Sequence, residues 1–175
     1  MGTYVLIHGS WHGGWCWDKL APILVGHRNT VFTPDLPGHG NDKTPLSQIS
    51  LQSYVDLVTE ILDSQNEPVY LVGHSRGSIV ISQAAEQRPD KVLRLVYLAA
   101  FMLRNGEAMV QWATQDTACL LLPNLAFSED RSYHYIKSPD LIKEIFYGDC
   151  STGDANLAKP NLFRNPPHRS RLHLS

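Results

Sequence analysis

Five residues constrain this chain more than any others: Gly73-His74-Ser75-Arg76-Gly77, a serine with a glycine two positions to either side. They stand between the apolar run Val69–Val72 and a helical pattern over 76–88 that Pro89 halts. So short a turn between a buried strand and a helix forces the serine into a backbone conformation that side-chain-bearing residues rarely adopt. It also brings the helix so close that a Cβ at Gly73 or Gly77 would collide. The serine oxygen is then held above a sheet edge, at the positive end of the following helix, where a developing oxyanion is stabilised. The stretch supplies neither the lysine of a P-loop nor the third glycine of a dinucleotide fingerprint, so Ser75 reads as a nucleophile and not as part of a phosphate loop.

The flanking sequence provides the sheet that such a turn needs. Tyr4–His8 is a continuous apolar run, as expected of a strand buried on both faces, and 29–34 reads as a second short strand. The apolar positions over 15–25 fit a helix. Ser50 caps another, whose Leu51, Tyr54, Val55, Val58, Ile61 and Leu62 share one face. Val92–Ala99 reads as a further apolar strand. Strands alternating with helices imply right-handed crossovers and a parallel sheet covered on both sides, an α/β fold.

Composition narrows the partners. At 175 residues and 43% hydrophobic content the chain can bury one sizeable core, and a formal charge of -2 leaves no basic stripe for nucleic acid or anionic lipid. The longest apolar run, Leu95–Leu103, is half of a bilayer span, and the N-terminus lacks a basic region and a cleavage site; a cytoplasmic location with no membrane partner is expected. Cys16, Cys119 and Cys150 are odd in number, widely spaced and without a CxxC pair, which points to reduced thiols. No metal and no cofactor are expected. A zinc site on His8 and His12 would need a third ligand and a rigidity that a Gly-rich loop does not give.

The segments VLIHGSWHGGWCWDKLAPIL, TPDLPGHGND, LVGHSRG and LVYLAAFML, in this order, resemble the α/β-hydrolase superfamily. The resemblance is closest to the branch of hydroxynitrile lyases and plant methylesterases, the salicylate methyl ester hydrolases among them. It covers about residues 3–158 and implies a doubly wound parallel sheet lacking the last strands, with a partial helical lid. The expected domains are a truncated hydrolase domain over 1–158, with a lid-like segment at about 101–151, and a non-homologous tail over 159–175. Ser78 stands where the branch usually has a second glycine, and a small residue there should be tolerated.

The resemblance also assigns roles. The oxyanion donors are the backbone N–H groups of Arg76, after the nucleophile, and of Ser10, in the loop following the first strand. Trp11 and His12 are expected to line the substrate pocket, although aromatic residues there equally suit a core. Asp35 is expected to structure its loop. His74 reads as a packing residue, His39 as a loop residue, and His8 as shaping the pocket or bonding backbone carbonyls.

The family's catalytic acid and histidine follow the lid and the last strand. Here no acidic residue occurs after Asp154, and Ala100–Arg104 offers no carboxylate at the alternative position. A truncated or frameshifted chain of weak or no activity is therefore expected, unless His168 or His173 folds back to Ser75. Three functions follow: hydrolysis of a small carboxylic ester, cyanohydrin cleavage of the lyase type, or ligand binding by a non-catalytic fragment. The lyases carry a threonine where Gly9 stands, which favours the ester. The strand at 92–99 is expected to be left as an open apolar edge, inviting a homo-oligomer.

Overall fold

A computed structural model describes residues 1–130 and 133–162, with residues 170–171 described through their backbone. The chain forms two compact units, Met1–Arg104 and Asn105–Ser175, where one domain with a lid-like segment from about 101 was expected.

The first unit runs β1 (Thr3–Ile7), α1 (Leu20–Gly26), β2 (Thr30–Phe32), α2 (Leu51–Asp63), β3 (Val69–His74), α3 (Gly77–Gln87) and β4 (Val92–Leu98). All four strands are parallel, in the order β2-β1-β3-β4. The expected parallel α/β sheet is what forms. Val5, Leu6 and Ile7 of β1 and Val69 and Leu71 of β3 are buried, as continuous apolar runs in central parallel strands should be. Tyr4 and Tyr70, directly paired across these strands, stack with ring centroids 4.7 Å apart. The Ser50 cap is also present: its Oγ accepts from the Ser53 N–H at 3.0 Å, and Ser53 Oγ accepts from the Ser50 N–H at 3.0 Å. Tyr54, Val55, Val58 and Leu62 bury one face of α2 behind that cap.

One element departs from expectation. The helix read over 15–25 is broken into a 3-10 turn over Gly14–Trp17 and the short α1, because Pro22 is accommodated only in the first turn of a helix. β4 ends the sheet, at the edge expected to be open. Leu93, Val96 and Leu98 are 46%, 41% and 44% exposed.

The second unit contains α4 (Met109–Ala113), β5 (Leu125–Phe127), β6 (Tyr133–Ile136), α5 (Ile142–Phe146), α6 (Thr152–Leu162) and β7 (Ser170–Arg171). Its three strands are antiparallel in the order β5-β6-β7. Ile142 packs in its interior, as do Ala155, Ala158 and Leu162 of α6. That helix passes through Pro160 to Leu162.

Candidate active site

Residues with left-handed backbone gather just beyond the carboxyl ends of three strands: Trp11 (φ 61°) after β1, Ser75 (φ 51°) after β3 and Ala99 (φ 42°) after β4. Such conformations cost about 1–3 kcal/mol each and persist only where the surroundings impose them. At Ser75 the surroundings are explicit. A Cβ on Gly77 would lie 2.8 Å from the carbonyl oxygens of Ile7 and His8, and one on Gly73 would lie 2.8 Å from the carbonyl oxygen of Gly77. Helix α3 thus starts hard against the end of β1, and the serine is turned between them. Gly9 touches it from the other side, where a Cβ would come within 2.9 Å of Ser75 Cβ.

The turn is hydrogen-bonded as well as packed. Ser75 N–H donates to the Leu98 carbonyl at 3.3 Å, and the Ser75 carbonyl accepts from Ser78 N–H at 3.1 Å. Ser78 Oγ donates to the same carbonyl at 2.7 Å. The serine that replaces a second glycine is fully buried and ties down the first turn of the helix.

The loop after β1 is pinned by its own histidines. His8 Nε2 accepts from Leu36 N–H at 3.1 Å, which leaves the proton on Nδ1, donated to the Gly9 carbonyl at 2.8 Å. Burial pushes His8 down to about 3, so the ring is neutral. His12 Nδ1 bonds the Ser10 carbonyl at 2.8 Å, and burial brings it down to about 4. His12 stacks on Trp15 at 5.2 Å and meets His74 edge-on at 6.2 Å; His74 is lowered from the ordinary imidazole range by burial. Ser10, Trp11 and His12 are all buried.

His39 is more than a loop residue. Its Nδ1 lies 3.2 Å from the His12 carbonyl, and its Nε2 lies 3.1 Å from Tyr54 Oη and 2.8 Å from Arg76 Nη2. The Arg76 side chain, for which the sequence reading had no use, is 2% exposed, with Cζ 5.2 Å from the Tyr54 ring centroid. One signal was available: a tyrosine on the apolar face of α2 needs a partner for its hydroxyl.

Asp35 structures its loop as expected, accepting from Gly14 N–H at 2.6 Å and from Asn41 N–H at 2.8 Å. Asp35→Ala is expected to lower unfolding free energy by about 2 kcal/mol, read by urea denaturation, because two donors lose a charged acceptor. Unchanged stability would show that water replaces the carboxylate at no cost. His168 and His173 lie outside the described residues. Among the described residues, no three His, Cys, Asp or Glu side chains converge as a metal-binding group, and no helix is long and apolar enough to cross a membrane. The three cysteines are free thiols.

The sequence profile of the alpha/beta hydrolase family matches residues 4–171. The chain belongs to that family. Among the family's curated members, Methylesterase 9 of Arabidopsis thaliana is 40% identical over 107 residues, 58% of this chain and 41% of the relative. A carbendazim hydrolyzing esterase of a Nocardioides species is 37% identical over 115 residues, 63% of this chain and 46% of the relative. This hydrolase chain therefore spans less than half the length of these relatives. Among solved structures, tomato Methylketone Synthase I superposes with a TM-score of 0.79 at 24% identity, over 90% of this chain and 65% of that one. A polyneuridine aldehyde esterase gives 0.76 at 25% identity, over 90% of this chain and 66% of that one.

Proposed function

We propose that this chain carries the serine and oxyanion apparatus of a hydrolase for small carboxylic esters. Ser75 Oγ is the nucleophile towards the acyl carbon. The backbone N–H groups of Ser10 and Arg76 hold the oxyanion, and Trp11 and His12 border the acyl group. The observation that carries this reading is the left-handed turn at Ser75, wedged between the end of β1 and the start of α3 with Gly9 against its Cβ. Relatives named as methylesterases support an ester substrate.

The lyase alternative is weaker, because a threonine side chain at position 9 would meet Ser75 Cβ and the His74 carbonyl. On the proposed reading these groups need a general base for turnover; without one, catalysis is residual, roughly 10³ to 10⁴ over water. The test is covalent capture: the purified chain is held at alkaline pH with a fluorophosphonate, so that hydroxide takes the serine proton as fluoride leaves, and the adduct is mapped by peptide mass spectrometry. A single adduct on Ser75 supports the reading, and no adduct there sinks it.

We also propose that β4 pairs with a second copy of the chain. It ends the sheet, and three of its apolar side chains are open to solvent. Light scattering coupled to size exclusion is expected to show dimers or larger species, reduced by Val96→Lys. A monomer at all concentrations would overturn this.

A further inference from the structure

The buried cluster of Arg76, His39 and Tyr54 has a role that follows from what it connects. The two segments proposed to donate to the oxyanion leave the directly paired strands β1 and β3 at Ile7 and Gly73, and each runs beyond the ladder before it reaches Ser10 or Arg76. Arg76 carries one of these donors on its backbone and turns its side chain inward, where Nη2 donates to His39 Nε2 at 2.8 Å. An imidazole that accepts at Nε2 carries its proton on Nδ1, and His39 Nδ1 accordingly donates to the His12 carbonyl at 3.2 Å. His12 in turn closes on the Ser10 carbonyl at 2.8 Å. The line therefore runs from the residue bearing one donor to the residue bearing the other. Tyr54, fixed in α2, braces its middle: the hydroxyl lies 3.1 Å from His39 Nε2, and the ring lies under the guanidinium at 5.2 Å.

A guanidinium is expensive to bury and is retained where its hydrogen bonds repay the desolvation. Here it spans a gap that decides how well two N–H groups converge on one oxygen. Hydrogen bonds to a developing charge fall off within tenths of an ångström. We propose that Arg76, His39 and Tyr54 are positioning residues that set the spacing of the oxyanion donors through side chains that do not themselves touch substrate. This rests on the assignment of Ser75 as nucleophile, and it predicts an effect on the chemical step without an effect on binding.

The experiment measures fluorophosphonate capture by the 175-residue chain as a function of reagent concentration, separating the maximal rate (kinact) from the half-saturating concentration (KI). Arg76→Met and His39→Phe are expected to lower kinact about tenfold with KI within about twofold, since a donor displaced by a fraction of an ångström costs rate and not affinity. Arg76→Lys, which keeps a donor towards His39, is expected to recover part of the loss. Where Arg76→Met or His39→Phe does not fold, as judged by circular dichroism, Tyr54→Phe and His39→Gln remove one polar group each at nearly constant volume. Their kinact is expected to fall two- to threefold. Unchanged kinact across the folded variants, or a loss confined to KI, overturns the proposal while leaving Ser75 as nucleophile. Failure of the parent chain to be captured above a Ser75→Ala control removes the nucleophile and this proposal together.

Discussion

Ser75→Ala is expected to abolish covalent capture by a fluorophosphonate while changing hydrolysis of a short p-nitrophenyl ester by less than about tenfold. The two readouts part because serine, histidine and acid act as a unit. If no base reaches Ser75, removing the serine costs little further turnover, whereas capture at alkaline pH accumulates one slow adduct, the serine proton passing to hydroxide as fluoride leaves. The turn itself should survive, since φ at residue 75 is imposed by Gly77 against the Ile7 and His8 carbonyls and by Gly9 against Cβ, not by the hydroxyl. Circular dichroism and thermal melting of the variant should match the parent. A fall in turnover of several orders on substitution would mean that a base does reach Ser75. His168→Ala, His173→Ala and dilution of the protein would then separate a base within the chain from one in a second copy.

Acid is expected to destabilise the protein well above the carboxylate range. His8 and His12 sit at about 3 and about 4 in the folded chain, both below the ordinary 6.5 because burial disfavours the charged ring. The unfolded chain therefore takes up protons that the folded chain refuses. The stability these two residues support is complete above pH 6.5 and is lost as the pH falls through that value towards the folded-state values. Between pH 7 and pH 5 each contributes a loss of about 2 kcal/mol. His74, lowered in the same direction, adds to the loss. Asp42 and Asp63 also have lowered values, but a carboxylate takes up its proton below this window and cannot account for a change within it. Urea denaturation at pH 7, 6 and 5 measures the effect, and His8→Gln should remove about half of the slope contributed by the pair. A flat profile from pH 7 to 5 would show that these rings are not held neutral by the fold.

Much of this molecule was legible in its residues because the relevant physics is local. Ser50 and Ser53 cap α2 through each other's backbone and side chain, a three-residue event that needs no tertiary contact. The strained serine follows from two glycines and the apolar run before them. The run at 92–98 was legible as an apolar strand, and its open edge as the consequence of a sheet that stops there. Leu93, Val96 and Leu98 became exposed through position in the sheet, which periodicity does not encode. Of the Arg76–His39–Tyr54 cluster only the need of Tyr54 for a hydroxyl partner was legible, for a related reason. Its members are 37 and 15 residues apart along the chain, and each alone has an ordinary surface or core reading. Only the packing of α2 against α3, with the loops that carry His39 and His12 beside them, makes a buried guanidinium tolerable.

The wedge around Ser75 also makes the residue a counter of molecules. An unfolded chain has no reason to keep φ positive at a serine, so once β1 and α3 separate, the turn relaxes and Ser75 becomes an alcohol like any other serine in the sequence. Reactivity is then all or none per molecule. The yield of adduct at saturation gives the fraction of a preparation whose first 104 residues are native, and a reagent chosen to read chemistry becomes a titrant of folded protein.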